Sequence, residues 1–355
     1  MSLQFITGGS GAGKSEYLSR LVCEESVRRP HDNFIVVVPE QYTMETQKKL
    51  VHMHSRKGIL NIDVVSFERL AYKVFEELGG GNRPVLDDTG KNLIVRRVLE
   101  KEKKKLDYFG SSIEKTGFVS ELKSVISELL QYGITPQQLG EIGENVKEKQ
   151  QLSAKLKDIR LVYEEFMAFL STNYITSEEI LDVLCGLVEK SKLIAGSEII
   201  FDGFTGFTPI QYKLMRLLLV YSKGIKISVT IDKKERPTGH EGWNNLFFMS
   251  KEMMNRLIAI CEEEGINVDD TVCVDRDINY RYEGAKDLAY LERNLFRYKG
   301  GVYTGTPENI RIYEGSNPKE ELQYIVSEIL QLTRKEGFRY RDIAVVTADL
   351  ETYGK

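Results

Sequence analysis

The sequence predicts an α/β protein: a P-loop parallel sheet with a large helical insertion, followed by the start of a second α/β domain. Three observations predict it. A glycine-rich loop, Gly8-Gly9-Ser10-Gly11-Ala12-Gly13-Lys14-Ser15, stands between an apolar run and a helical pattern. Apolar runs typical of strands covered on both faces recur at 3–7, 34–38, 62–65, 198–201 and 225–231, and helical patterns follow the first four. Between the third and fourth runs, a stretch from about 79 to 195 reads almost wholly helical.

The glycine loop fits G-x-x-x-x-G-K-[ST], with the order strand, loop, helix that a phosphate-binding loop needs. Glycines let the backbone wrap a polyphosphate with its N–H groups turned inward, and the helix N-terminus adds the positive end of its dipole. Lys14 is expected to reach the β- and γ-phosphates, and the Ser15 hydroxyl to ligate Mg2+. ATP and Mg2+ are the expected ligands.

The remaining elements follow in order. A second helix is predicted over 43–53 with Thr43 as its N-cap, a third over 66–78 capped by Ser66, and a fourth over 209–221. In the insertion, Phe118, Leu122, Val125, Ile126, Leu129 and Leu130 form one apolar stripe; Leu152, Leu156, Ile159, Tyr163, Phe166 and Leu170 form another. Both read as bundle core. The turn Gly79-Gly80-Gly81-Asn82 and the Ala195-Gly196 junction mark the insertion's edges. Residues 236–306 are less regular, with a helix over 243–261 and a turn-rich linker over 299–306. A second α/β unit then starts: strand 309–313, helix 318–336 with Leu322, Ile325, Val326, Ile329 and Leu330 inward, strand 342–347. The predicted domains are 1–78 with 196–235, the insertion 79–195, the extension 236–306, and a truncated unit 307–355.

Composition narrows the function classes. The 355 residues carry a net charge of -4, so any nucleic-acid contact must be a local groove or patch. Cys23, Cys185, Cys261 and Cys273 lack C-x-x-C spacing and read as reduced, mostly buried thiols of a cytoplasmic protein. His52 and His54 read as surface residues pointing apart. The lysines of 101–105 read as a solvated helix end rather than a phosphate patch. No apolar run approaches the roughly 18 residues of a membrane span, and the first residues enter a core strand without a signal-peptide pattern. The final strand pattern suggests that the domain continues beyond Lys355.

The layout resembles superfamily 1 helicases of the UvrD/RecB type, which are built on RecA-like domains. Local wording narrows it. Val38-Pro39-Glu40-Gln41-Tyr42-Thr43, Val65-Ser66-Phe67-Glu68-Arg69-Leu70-Ala71-Tyr72, Phe201-Asp202-Gly203-Phe204-Thr205-Gly206-Phe207-Thr208-Pro209 and Tyr340-Arg341-Asp342-Ile343-Ala344-Val345-Val346 resemble the AddB family of helicase–nuclease subunits across essentially the whole chain. The resemblance implies a heterodimer with AddA, which carries the motor, and work on DNA double-strand breaks for recombinational repair. It also implies recognition of a Chi sequence as single-stranded DNA. A nuclease domain with an iron–sulfur cluster is expected only beyond residue 355.

Active helicases of this plan end the fourth strand in Asp-Glu, with Asp on Mg2+ and Glu orienting the attacking water. Here the pair is Asp202-Gly203, and Gly203 can do no acid–base work. The adenine-contacting glutamine, the glutamine sensing the γ-phosphate and an arginine after 345–346 are also missing from the pattern. No catalytic residue is therefore assigned; Ser15 and Asp202 are the expected Mg2+ ligands. The loops after the second and third strands face the single strand in such proteins. Here they offer Gln41, Thr43, Phe67, Arg69 and Tyr72, and the loop after Asp202 adds Phe204, Thr205 and Phe207. Aromatic rings stack on bases, Arg pairs with phosphate or guanine, and Gln reads base edges. The leading expectation is a nucleotide-binding, DNA-reading subunit without a motor. The alternatives are an active ATP-driven translocase, a small-molecule kinase, and a scaffold for AddA and the nuclease.

Overall fold

The computed structural model describes residues 1–79, 84–115, 117–146, 149–176, 179–236, 239, 242–297 and 300–354. They form two compact units, Met1–Arg281 and Tyr282–Lys355.

The first unit opens with β1 (Ser2–Gly8), α1 (Lys14–Arg28), β2 (Asn33–Val37), α2 (Thr43–Met53), β3 (Ile62–Val65) and α3 (Phe67–Leu78). The insertion follows as β4 (Val85–Leu86), α4 (Asp88–Glu102), α5 (Phe118–Gln131), α6 (Pro136–Asn145), α7 (Gln150–Asn173), β5 (Ile175–Thr176), α8 (Ile180–Cys185) and α9 (Lys192–Ala195). The chain then returns to the sheet with β6 (Ser197–Phe201), α10 (Pro209–Tyr221), β7 (Gly224–Thr230), α11 (Phe248–Glu264), β8 (Asn267–Val268) and β9 (Val272–Cys273).

Seven of these strands form one parallel sheet in the order β3-β2-β6-β7-β1-β8, with β9 also on β1. Alternation along each strand sends neighbours to opposite faces. Ile6, Phe34, Val36 and Ile200 meet Leu18 and Val22 of α1 and Leu50 of α2. Phe5, Ile35, Val37 and Phe201 meet α3, α8, α10 and α11 through Leu70, Leu184, Leu214 and Leu257. β1, β2 and β6 are thus buried on both sides, which explains their continuous apolar reading. The insertion has its own core, in which Val95 and Leu99 of α4 pack with Val162 and Phe166 of α7. Asp158 on α7 accepts the N–H groups of Asp107, Tyr108 and Phe109 at 2.8–3.1 Å and pins the loop beyond α4.

Ser66 caps α3 by accepting the Arg69 N–H at 3.3 Å, as expected. Several expectations are corrected. Thr43 is not an N-cap: it is the first residue of α2, and its Oγ1 donates to the Glu40 carbonyl at 2.9 Å. His54 is not on the surface: it is buried and bonds Ser26 Oγ through Nε2 at 3.2 Å. Val125 and Leu152 leave their stripes and are partly exposed. The helix expected from Trp243 starts at Phe248, because Trp243 stands in solvent. Residues 80–83 of the insertion's first turn and Lys299 of the expected linker lie outside the described residues. The lysines at the end of α4 are exposed, in line with a solvated helix end, and ion-paired: Lys101 with Glu165 at 2.6 Å, Lys103 with Glu114 at 3.1 Å, Lys105 with Glu102 at 2.6 Å.

The second unit contains α12 (Lys286–Asn294), α13 (Pro318–Lys335) and α14 (Leu350–Tyr353). Segments 309–313 and 342–347 are not strands: among the described residues neither pairs with another segment, and a strand exists only through a neighbour that takes its backbone bonds. The face of α13 is correspondingly uncovered, with Leu322, Ile325, Ile329 and Leu330 only half-buried and Val326 exposed.

Candidate nucleotide-binding site

The glycine loop joins β1 to α1 at the carboxyl end of the sheet, where open α/β sheets bind ligands. Two glycines there need their conformational freedom: Gly11 and Gly13 have φ of 73° and 95°, in the left-handed region. Gly13 is the N-cap of α1 and offers no side-chain cap, so the first-turn N–H groups are left for an incoming anion. Lys14 Nζ lies inside the loop, donating to the carbonyls of Gly8 and Gly9 at 2.8 and 2.9 Å.

Two cavities flank the loop. One, of about 410 Å³, is lined by Lys14, Ser15, Lys49, Asp202, Thr230 and Arg281 among others. The other, of about 470 Å³, is walled by Tyr17, Arg20, Arg276 and Tyr280. Both are of ligand size. In the first, Asp202 at the end of β6 accepts Ser228 Oγ at 2.5 Å. Ser15 and Asp202, a hydroxyl and a carboxylate on one cavity, are the hard oxygen donors that Mg2+ takes beside a phosphate. Gly203 follows with φ of 84°, its N–H on Ser228 Oγ at 3.3 Å. Glu16 also lines this cavity; the Lys49 ammonium, with Arg20 beside it, holds its carboxyl below the usual range. In the second cavity the Arg276 guanidinium lies 3.8 Å from the centre of the Tyr280 ring, an aromatic and cationic wall suited to a flat ring.

Sequence reading missed this wall. Asn279-Tyr280-Arg281 follows β9 and returns to the loop: Asn279 Nδ2 donates to Ser10 O, and Arg281 to Gly11 O and Ser10 Oγ, each at 3.4 Å. A polar–aromatic–basic triplet soon after a strand run was the only local signal.

The residues expected to face DNA separate into two groups. Gln41, Arg69 and Thr205 are exposed, and Tyr72 is partly so, its ring edge-on to Phe75. Arg69 is tied to Glu40 across the two loops, Nε and Nη2 donating to Oε1 at 3.0 and 2.9 Å. Thr43, by contrast, is buried, and Phe67 is only 8 % exposed. The Phe67 ring lies 5.7, 5.4 and 6.0 Å from those of Phe201, Phe204 and Phe207, so its faces are taken by core partners rather than open to bases. Phe204 and Phe207 are half-buried in the same cluster. Tyr42 and Met44, both exposed beside Gln41, were not singled out from sequence.

Comparison with known proteins bears on the whole arrangement. The family described as ADDB, N-terminal, matches residues 5–292. The chain belongs to the AddB N-terminal family. It is 43% identical over 357 aligned residues to the B-type subunit of the ATP-dependent helicase/deoxyribonuclease of Lachnoclostridium phytofermentans, covering 100% of this chain and 31% of that protein. The subunits of the same name from Caldanaerobacter subterraneus and Clostridioides difficile are 36% and 34% identical, over 100% and 99% of this chain and 30% and 31% of theirs. The chain thus spans just under a third of these relatives, as the N-terminal part of an AddB protein. The AddB N-terminal match takes in the glycine loop, Asp202 and the 279–281 triplet.

Proposed function

We propose that this chain forms the RecA-like, nucleotide-binding part of a helicase–nuclease subunit, that it contacts single-stranded DNA, and that it is not a motor. The observation that carries the reading is the placement of Lys14 and Ser15 at the uncapped start of α1, on one cavity with Asp202. Mg2+-bound ATP fits that donor set. The loop N–H groups and Lys14 hold the phosphates, Ser15 and Asp202 hold the metal, and Tyr280 with Arg276 covers the base.

Hydrolysis needs a base to orient water, a contribution of about 10²–10⁴-fold. Position 203 is glycine, and the cavity's other carboxylate, Glu16, is engaged by Lys49 and Arg20. Bound nucleotide therefore persists. On the adjoining face, Gln41, Arg69 and Tyr72 supply a base-edge reader, a cation and a ring to a single strand, a mixture suited to recognising a Chi-like sequence. Phe204, Phe207 and Phe67 support that face from beneath, and Thr205 stands at the joint between the two sites. AddA and DNA are the partners that this reading assigns, with break resection as the setting.

The test is paired. Nucleotide binding is followed by calorimetry, and short single strands of varied sequence are titrated at fixed salt. Sequence-dependent strand binding without DNA-stimulated ATP turnover supports the reading; DNA-stimulated turnover replaces it with a translocase.

A further inference from the structure

The glycine loop is anchored from behind by a residue far away in the chain. Asp275, two residues beyond β9, accepts the Gly9 N–H through Oδ1 at 2.7 Å and the Lys233 N–H through Oδ2 at 2.9 Å. Around it the backbone converges: Val274 N–H donates to Thr7 O at 2.9 Å, and Ile231 N–H to Gly8 O at 3.2 Å. One carboxylate thus joins the exit of β1, the turn after β7 and the segment after β9. The bonds of Asn279 and Arg281 to the loop are each 3.4 Å long, near the limit of useful geometry. The Asp275–Gly9 bond is short and charge-assisted, the stronger kind. Asp275 itself lines neither cavity.

We propose that Asp275 is a positioning residue of the nucleotide site: by fixing Gly9 it pre-organises the phosphate loop and locks it to the wall made by Arg276 and Tyr280. A loop with glycines at 8, 9, 11 and 13 loses much conformational entropy on ordering, and an anchor present before the ligand arrives removes that cost from binding. The carboxylate acts behind the loop, on its entry residue, and leaves the inward N–H groups free for phosphate.

The proposal rests on the nucleotide reading above, and its test separates the two. In the full chain, Asp275→Ala and Asp275→Asn are compared with the native protein by amide hydrogen exchange without nucleotide and by calorimetry with Mg2+-ATP and with AMP. Asp275→Ala is expected to speed exchange at residues 9–13 and to weaken ATP binding by about tenfold or more, the scale of one lost charge-assisted bond. AMP binding changes less, because the triphosphate uses more of the loop. Asp275→Asn, which retains an acceptor for Gly9, recovers most of both. Unchanged exchange and affinity in Asp275→Ala overturn the proposal. So does equal weakening of ATP and AMP together with loss of protection in β1, which marks a merely structural residue. A native chain that binds no nucleotide, with a loop loosened by Asp275→Ala, removes the nucleotide reading and leaves the anchor standing.

Discussion

The carboxylate of Asp202 accepts the hydroxyl of Ser228 at 2.5 Å, and the next residue, Gly203, turns the chain with φ of 84°. The Asp202 carboxylate is thus oriented by the neighbouring strand, and the position after it is shaped for glycine. A Cβ at 203 would stand 3.4 Å from Cδ of Pro39 on a backbone that L-residues rarely adopt. Gly203→Glu is therefore expected to lower stability by about 1–3 kcal/mol. It is also expected to leave DNA-stimulated ATP turnover at background, because the strained backbone misplaces the new carboxylate. Denaturant unfolding and an ATPase assay check both; a large gain in turnover would contradict the account.

The aromatic cluster predicts a separation of roles. Phe67→Ala removes a ring held among Phe201, Phe204 and Phe207 and is expected to cost about 3–5 kcal/mol of stability. Its effect on DNA follows from that loss. Thermal unfolding decides: a small stability change with a large drop in strand affinity would restore Phe67 as a stacking residue.

Arg69→Ala and Tyr72→Ala are expected to behave in the opposite way. Both side chains stand at the surface, so stability changes by less than about 1 kcal/mol. Strand binding weakens, by about 1–3 kcal/mol where Tyr72 stacks on a base. If Arg69 meets a phosphate, its loss reduces the salt slope by roughly 0.7. A titration over several salt concentrations reads this directly; an unchanged slope assigns Arg69 to its Glu40 pair alone.

Glu198 predicts a pH dependence. It lies at the foot of β6, accepts Arg29 Nη2 at 2.5 Å, and also pairs with Lys226. Burial alone would raise its pKa, but the two cations outweigh that and hold it below the ordinary carboxylate range. A depressed folded pKa gives stability that is present above the unfolded value and is lost as pH falls through the folded one. Acidification below the ordinary value of 4.5 should therefore lower the melting temperature, and Glu198→Gln should flatten that part of the curve. At neutral pH the same variant is expected to cost on the order of 2 kcal/mol, less than the about 3–5 kcal/mol of a fully buried pair because Arg29 stays partly solvated. A melting curve with the native acid limb would refute the assignment.

The sheet was legible because burial on both faces forces continuous apolar runs, as in Ile35–Val37 between two helical layers. The glycine loop at the start of α1 was legible because its pattern is local. What escaped depends on distant chain. Phe67 reads alike as core or as stacking ring until Phe201 and Phe207 arrive from beyond the insertion. His54 looks solvated until Ser26 is placed beside it. The wall of Arg276 and Tyr280 returns to the loop only after more than 260 intervening residues. Segments 309–313 and 342–347 carry strand patterns, yet a pattern supplies no partner for its backbone.

The central claim is a live nucleotide pocket without a motor. Calorimetry of the chain with Mg2+-ATP, with Lys14→Ala as the control and ATP turnover followed in the same samples after adding single-stranded DNA, tests it most directly. The account predicts binding by the native chain, loss of binding by at least about tenfold in Lys14→Ala, and no stimulated turnover. Equal binding by both proteins, or turnover that rises with DNA, would contradict it.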